Sequence, residues 1–432
     1  MLLTNGRLAT LDPPRVDEAD LRIDSGRIVE RGPGLQPRAG EEQLDLAGAL
    51  VMPGLVNAHT HLYSALARGM PGPAEPPRTF AETLERVWWR LDRALDEETV
   101  YLSGVAGAIE AALSGTTLLF DHHASPSFVR GSLQVLQRAV RDVGLRSVLC
   151  YEVTDRNGSE GRDLGLAENR VFAAASQDQE WSRAMIGAHA SFTLSDETMD
   201  RLGRLVQETG RPLHIHAAED EADVEDCRQR TGAGLIARLS RHGLLAPGAI
   251  LAHGVHLTRK QIAEAQAAGA WLVHNPRSNM NNAVGYAPTD AFRQAALGTD
   301  GMDGDMLAEV RAAYLKMRDE GRLDAFEASR DLLAGGHRLA ASIFGLSFGR
   351  LDPGAPADLA ILDYQPPTPL ASDNLTGHLL FGLDRSHLRS VMVGGGWVVR
   401  DRRLVTVDAP ALLARARTAA GRLWQRMQAL GS

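Results

Sequence analysis

Short apolar stretches alternate with longer amphipathic segments through the middle of the chain. The segments between the apolar stretches, such as DETMDRLGRLVQETG and TRKQIAEAQAAG, have apolar residues at helical spacing. The candidate strands are LVMPGLVNAH, TTLLFDHH, RSVLCYEV, AMIGAHASF, PLHIHAAE, AILAHGV, AWLVHNP and QAALGTDG. Repeated strand, helix, strand units predict a parallel sheet, and about eight repeats predict an α/β fold closed into a (β/α)8, TIM-like barrel. An open doubly wound sheet is the alternative.

Both ends of the chain have a different pattern. Short apolar stretches broken by Gly and Asp-Ser-Gly turns fill the first fifty residues, and similar stretches return in GRLDPGAPADLAILDY and HLRSVMVGGGWVVRDRRLV. The tail ALLARARTAAGRLWQRMQAL has helical periodicity. We therefore predict a small β-sandwich built from 1–54 and 346–405, a barrel over 55–345, and a C-terminal helix over 406–432.

Composition excludes several classes of partner. The chain has 432 residues, is 44% hydrophobic and 23% charged, and carries a formal net charge of -8. Nucleic acids and anionic membranes need clustered basic surface, so a small-molecule partner is the better expectation. The start MLLTNGRLATLDPP lacks the pattern of a signal peptide, and long apolar runs are missing, so we predict a cytoplasmic protein. Cys150 and Cys227 are too few for a disulfide scaffold, and we expect reduced thiols.

Nearly every predicted strand ends in a potential metal ligand or acid/base group. In chain order these are His59 and His61, Asp121 to His123, Glu152, His189, His216 and Glu219, His253, His274 and Asn275, and Asp300. Barrel enzymes build their active sites at the carboxyl ends of the strands. The pattern therefore predicts that residues far apart in the chain converge in one pocket.

A metal site is the most specific interpretation of these strand ends. His59 and His61 are two apart in VNAHTHL, so both side chains point the same way on a strand. Alone, such a pair is more often a surface or structural feature. HIHAAE and GTDG add His216 and Asp300, and this set leaves a coordination position for water, as catalytic sites require. Nitrogen and oxygen ligands suit zinc, iron or manganese, with zinc our first choice.

The order of PGLVNAHTHL, HIHAAE, LAHGVHL and LGTDG resembles the amidohydrolase superfamily. The resemblance is to its mononuclear branch of cytosine, guanine and adenosine-type deaminases and triazine chlorohydrolases. PGAPADLAILD is similar to the second half of that branch's composite β domain, so the resemblance covers essentially the whole chain. Within the branch, DHHASPS and LERVWWRLDRALDEE look most like the aminohydrolase group called SsnA. Members of the family are usually dimers, which implies a homodimer here.

The resemblance implies a role for most of the strand-end residues. The residues matching the family's metal ligands, for one divalent ion per subunit, are His59, His61, His216 and Asp300. Glu219 matches the acid/base that protonates a ring nitrogen, and Asp300 relays the water's proton to the departing nitrogen. His253 matches the histidine that positions the water, and His189 one that meets substrate.

Other residues keep two interpretations. His122 or His123 is a candidate for substrate contact, although at least one of them must point away from the pocket if the strand continues. His274 either lines the pocket or makes strand-end hydrogen bonds, and Arg277 is available for a polar substrate edge. Trp88 and Trp89 either stack on a flat ring or pack their helix onto the barrel or a second subunit. We prefer the second interpretation, because adjacent tryptophans face different sides of a helix.

The scarcity of lysine bears on the number of metal ions. The chain has two lysines, Lys260 and Lys316, and both lie in helical segments. Binuclear members of the family bridge two metals with a carboxylated lysine at a strand end. The sequence therefore predicts a mononuclear site.

These features predict hydrolytic deamination of an aromatic nitrogen heterocycle, such as a purine, pterin or triazine, with release of ammonia. The same activated water serves two alternatives, which are removal of chloride or an alkylamine and opening of a cyclic amide ring. A barrel that serves as a scaffold without turnover is a remote alternative, because such relatives usually lose a ligand and here the whole set is present.

Overall fold

The computed structural model describes residues 1–176 and 180–430 as a mixed α/β structure. Its strands are β1 (Leu2–Leu11), β2 (Pro14–Asp24), β3 (Arg27–Gly32), β4 (Gln43–Asp45), β5 (Leu50–Pro53), β6 (Leu55–Thr60), β7 (Thr116–His123), β8 (Arg146–Tyr151), β9 (Ser182–Ala184), β10 (Ile186–Ala190), β11 (Leu213–Ala217), β12 (Ile250–His253), β13 (Trp271–His274), β14 (Ala295–Leu297), β15 (Leu359–Leu362), β16 (Leu388–Val393), β17 (Gly396–Arg400) and β18 (Arg403–Leu404). Its α-helices are α1 (Phe80–Thr83), α2 (Trp89–Ala94), α3 (Glu97–Ala112), α4 (Ser132–Val143), α5 (Gly158–Ala175), α6 (Asp196–Thr209), α7 (Glu221–Thr231), α8 (Leu235–Arg241), α9 (Arg259–Ala267), α10 (Pro276–Asn281), α11 (Met306–Asp319), α12 (Ala325–Phe344), α13 (Leu375–Phe381) and α14 (Ala409–Ala429). None of these described helices combines the length and apolarity needed to cross a membrane.

The middle of the chain forms two parallel sheets that meet at both edges. One sheet has the order β6-β7-β8-β9 and the other the order β10-β11-β12-β13-β14. Isolated parallel bridges join Val153 to Ala188 and Thr60 to Asp300, so each sheet touches the other at both of its edges. Every predicted middle segment contains a strand, which confirms the alternation of strands and helices in a TIM-barrel-like arrangement.

An apolar core fills the space between the two parallel sheets. Its members alternate along their strands with residues that face the helices. They include Val56, Leu118, Phe120, Val148, Ile250 and Val273. This packing closes the interior below the carboxyl ends of the strands, so the polar strand ends form the floor of a pocket rather than the wall of a pore.

The two chain ends form one sheet, as the repeated turn pattern predicted. Its order is β18-β17-β16-β15-β5-β1-β2-β3, with β4 paired to β1. The ends of the chain meet where β5 pairs antiparallel with β15. Leu21, Ile28, Val51, Ile361 and Met392 share a separate core, so the sheet curls around it. These strands belong to a single hydrogen-bonded sheet, and the predicted sandwich stays a prediction.

The C-terminal helix α14 packs against the segment that follows β6. Trp424 Nε1 donates to the Leu66 carbonyl at 2.9 Å, and Arg426 Nε donates to the Ala94 carbonyl at 2.7 Å. Leu423 is fully buried in the same contact. The helix therefore holds in place the long connection that carries Trp88 and Trp89.

Replacing Gly335 with Ala is expected to destabilise the fold by about 1–3 kcal/mol, because the new methyl group must displace backbone. A Cβ atom on Gly335 would lie 1.8 Å from the Ala295 carbonyl oxygen, where α12 packs on β14. Gly421→Ala in α14 is the matched control, since nothing lies within 4 Å of its Cβ position. It should stabilise by about 0.5–1 kcal/mol through helix propensity. Denaturant unfolding of both variants tests this, and equal effects would contradict the packing argument.

Candidate active site

The predicted metal ligands lie within hydrogen-bond distance of one another. His61 Nε2 is 2.9 Å from Asp300 Oδ1, and His59 Nε2 is 3.4 Å from the same oxygen. His216 Nε2 is 3.1 Å from His61 Nε2. His59, His216, His253 and Asp300 have ligand atoms within 4.8 Å of one another. The structure thus brings together residues from β6, β11 and β12 with the residue that follows β14.

A β-bulge in β6 turns its histidines toward this cluster. Asn57 pairs with Leu119 and Thr60 with Asp121, so three steps along β6 oppose two along β7. Val56 points into the apolar core before the bulge. The extra residue reverses the alternation, so that His59 and His61 face the pocket.

Backbone hydrogen bonds determine which ring nitrogen is available in two of the histidines. His61 Nδ1 lies 2.6 Å from the His122 carbonyl oxygen, and His216 Nδ1 lies 2.9 Å from the His189 carbonyl oxygen. A carbonyl oxygen only accepts, so Nδ1 carries the proton in both rings. The Nε2 lone pair of each ring is therefore available to a metal ion, and the two Nε2 atoms lie 3.1 Å apart.

Buried ring nitrogens without partners fit a bound cation. His59 Nε2 and His253 Nε2 are buried and have no hydrogen-bond partner among the described residues. An unsatisfied buried polar atom costs about 1–3 kcal/mol, so such atoms need a partner. Two neutral imidazole lone pairs beside a carboxylate are the donor set that zinc and similar divalent ions take. The residues present therefore fit a divalent metal ion.

Sequence reasoning missed two supporting residues. His214 Nε2 lies 2.8 Å from His59 Nδ1, and it orients that ring. Ser278 donates a short hydrogen bond to Asp300 Oδ2. A signal was present for His214, because it precedes His216 by two positions and shares its face of β11. No local signal marks Ser278, which lies in α10.

Unusual backbone conformations occur next to the cluster. His253, Asp300 and Ala218 have φ values of 75°, 54° and 51°. Residues other than glycine rarely adopt this left-handed region, and each instance costs of order 1–3 kcal/mol. The surrounding hydrogen bonds hold these three residues at strand ends, where the chain turns out of the barrel.

The two acidic groups of the site have opposite protonation behaviour. Burial raises the pKa of Glu219 well above its ordinary value, and the nearby Asp300 carboxylate raises it further. Burial also acts to raise the pKa of Asp300, but its close contacts with the His59 and His61 rings outweigh burial and hold the pKa well below its ordinary value. Glu219 Oε2 lies 3.6 Å from His253 Nε2. These opposite shifts favour the protonated form of Glu219 and the ionised form of Asp300, the separation that acid/base chemistry uses.

The connection after β6 supplies an aromatic wall. Trp88 and Trp89 both line the pocket, together with His189. The Trp89 and His189 rings meet edge to face at 6.1 Å. Trp88 also packs against the core cluster that contains Leu91 and Leu423, so it lines the pocket and anchors its helix at the same time.

His122 and His123 lie on opposite faces of β7, as strand alternation requires. The His122 ring is fully buried 4.6 Å from His216, and its Nε2 lies 3.0 Å from the Ala188 carbonyl. His123 Nε2 instead lies 2.9 Å from Ser125 Oγ. Neither ring is among the residues lining the pocket. Substrate contact by one of them therefore stays a prediction, and His122 supports the floor of the pocket.

The residues after β13 are also placed by the structure. His274 is buried beside Tyr286 and Phe292, outside the residues lining the pocket. Arg277 Nη1 pairs with Asp303 Oδ1 at 2.8 Å, and its Nε pairs closely with Glu309. These ion pairs occupy the guanidinium of Arg277, which leaves it no role at a substrate edge.

Comparison with known proteins agrees with this geometry. A model of the amidohydrolase family matches residues 50–398, and the chain belongs to this family. The 5-methylthioadenosine/S-adenosylhomocysteine deaminase of Desulforudis audaxviator is 31% identical, over 94% of this chain and 94% of its own. The 5'-deoxyadenosine deaminase of Methanosarcina mazei is 29% identical, over 99% of each chain. The predicted family and the hydrolase class are confirmed.

Solved structures share the fold over the full length. An adenosine deaminase from Xanthomonas campestris with bound zinc has a TM-score of 0.85 and 24% identity, covering 98% of each chain. An atrazine chlorohydrolase from Arthrobacter aurescens in complex with zinc has a TM-score of 0.81 and 23% identity, covering 97% of this chain and 99% of that one. At this identity the likeness establishes a common fold. These names do not test the finer resemblance to the SsnA group, which stays a prediction.

Proposed function

We propose that this protein is a hydrolytic deaminase that removes an amino group from an aromatic nitrogen heterocycle as ammonia. The observation that carries the proposal is the pairing of an acid with a ligand cluster. Glu219, whose burial favours its protonated form, lies 3.6 Å from His253 Nε2 and lines the same pocket as His61, His216 and Asp300. A hydrolase that attacks a ring carbon needs both a nucleophilic water and an acid for the ring nitrogen.

The residues that would hold a divalent ion are His59, His61, His216 and Asp300. When bound, such an ion supplies the Lewis acidity that yields a hydroxide nucleophile near neutral pH. Glu219 donates its proton to the ring nitrogen next to the attacked carbon, which prepares that carbon to become tetrahedral. His253 orients the attacking water, and Asp300 passes the water's proton to the departing amine. His189 contacts the substrate ring.

The class of substrate is supported by the walls of the pocket. Trp88, Trp89 and Phe80 line it and offer flat apolar surface to a ring. The relatives reported above are named as deaminases of adenosine derivatives. Both observations favour a purine or a similar fused heterocycle over an aliphatic amide.

Several finer assignments belong to the same proposal. Zinc is the metal we expect, supported by the zinc in both reported structural neighbours.

The edge bridges support closure of the parallel strands into one barrel. We keep the boundaries 1–54 and 346–405 for a β-sandwich, 55–345 for the barrel and 406–432 for the final helix. The family resemblance supports a homodimer, and light scattering of the purified protein tests this oligomeric state. The resemblance also supports a cytoplasmic location.

Release of ammonia from a panel of aminated rings tests the proposal. Zinc-loaded protein incubated with aminopurines, adenine nucleosides, pterins and aminotriazines should release ammonia from at least one, at a rate proportional to enzyme concentration. Chloride or alkylamine release is followed in parallel on substituted triazines, and ring opening on cyclic amides. Turnover confined to those alternatives, with no ammonia from any ring, would disprove the deaminase assignment.

A further inference from the structure

A second charged cluster lies in the pocket wall and has no role in the proposed chemistry. Arg156 Nη2 lies 2.8 Å from Glu152 Oε1 and 2.5 Å from Asp92 Oδ2. The Arg156 side chain is 11% exposed, while those of Glu152 and Asp92 are 3% and 1% exposed. Both Arg156 and Glu152 line the same pocket as His216 and Asp300. One ring-sized ligand can therefore face both groups of residues.

The two carboxylates hold one edge of the guanidinium and leave the rest of it free. Both ion pairs use Nη2, and Arg156 Nε is buried with no hydrogen-bond partner in the described chain. The guanidinium also lies over the Trp89 ring, 5.0 Å from its centroid. Trp89 Nε1 is a second buried donor without a partner there. These two donors are buried, so the part of Arg156 that can meet a ligand is its exposed end, where Nη1 takes part in neither ion pair. An acceptor on the ligand can satisfy that donor.

Charge decides which acceptor fits. When Glu152 and Asp92 are both ionised, their two negative charges exceed the single positive charge of Arg156, so the cluster is net negative. An anionic substituent would lose its hydration without a net cation to replace it. A neutral carbonyl oxygen needs only the donor N–H groups, and it satisfies them without adding charge.

We propose that Arg156 is a specificity residue that hydrogen-bonds the ring carbonyl of an oxo-substituted aminoheterocycle. This inference deepens the proposed function and rests on it. The substrate class is then an oxopurine, oxopteridine or similar ring that carries both an amino group and a neutral carbonyl. Unsubstituted adenine rings lack that acceptor and leave the donors of Arg156 unsatisfied.

Matched pairs of rings that differ only in the carbonyl test the assignment. The pairs are isoguanine with adenine, guanine with 2-aminopurine, and pterin with 2-aminopteridine. In at least one pair kcat/KM for ammonia release should be about 100-fold or more higher for the oxo compound, because sites built to bond a polar group reject analogues without it. Equal rates within every pair, or turnover of the carbonyl-free members alone, would overturn the inference without any variant.

The variant Arg156→Lys separates recognition from structural support. Lysine keeps a cation between Glu152 and Asp92 but loses the planar fork of donors. It should lower kcat/KM on the oxo compound by about 100-fold and leave that on its carbonyl-free partner within about threefold. Arg162→Lys is the control, because Arg162 pairs with Asp163 and Glu197 outside the pocket-lining residues. Equal losses on both members of a pair would assign Arg156 a structural role and overturn the proposal.

Calorimetric binding distinguishes failure of this inference from failure of the proposed function. If no ring releases ammonia, the deaminase assignment fails, and the same ring pairs are then titrated into the protein. Tighter binding of the oxo compounds that Arg156→Lys abolishes would still support the recognition role. Equal affinity for each oxo compound and its carbonyl-free partner would overturn the inference about Arg156.

Discussion

Replacing Glu219 with Gln is expected to lower kcat for ammonia release by about 10²- to 10⁴-fold, the range typical of losing a general acid or base. The side chain keeps its size and its contact with Asn282, whose Nδ2 lies 3.4 Å from Glu219 Oε1. What it loses is the proton that burial and Asp300 keep on the carboxyl group. Because the acid acts in the transition state, KM should change little while kcat falls.

Glu221→Gln is the matched control for this substitution. Glu221 belongs to the same acidic run and is exposed at the start of α7. Its substitution should leave kcat within about twofold, since exposed changes away from the site have small effects. Steady-state kinetics with continuous ammonia detection resolve both cases. Full activity in Glu219→Gln would remove Glu219 from the catalytic machinery.

Removal of the divalent metal is expected to abolish turnover, lowering kcat by at least about 10³-fold. A loss of this size is expected because enzymes accelerate reactions by ~10⁶-fold or more. His59, His61, His216 and Asp300 meet within a few ångströms, and the buried His59 Nε2 has no hydrogen-bond partner among the described residues. Chelation followed by dialysis should leave inactive protein, and added Zn²⁺ should restore activity. Elemental analysis before and after treatment measures the metal content and identifies the metal. Full activity of demonstrably metal-free protein would contradict the site.

His216→Asn provides the genetic counterpart of chelation. The shorter amide removes the Nε2 ligand, so the variant should bind less than one metal ion per chain and lose activity to a similar extent. His387→Asn serves as its control, because His387 lies in a surface turn near Asp384. Metal content that stays at wild-type levels in His216→Asn would exclude His216 as a ligand.

Much of the strand order and of the ligand set could be predicted before the structure. The segment PLHIHAAE contains β11, with His216 near the end of the strand and Glu219 just after it. The segment AILAHGV contains β12, which ends at His253. Periodicity predicts these elements because burial on a strand repeats every second residue, which is a local property. The strand ends were informative for the same reason, since parallel strands direct their carboxyl ends to one side.

The sequence by itself determined the elements, the family and the residues available for a metal site. Only the tertiary structure decided which side chains face the pocket. The bulge that turns His59 inward depends on pairing with β7, and Arg156 meets Asp92 across 64 residues of chain. His123 and the tryptophan pair likewise took orientations set by neighbouring elements. Such contacts join distant parts of the chain, so their geometry depends on how whole elements pack and not on the residues next to them in sequence.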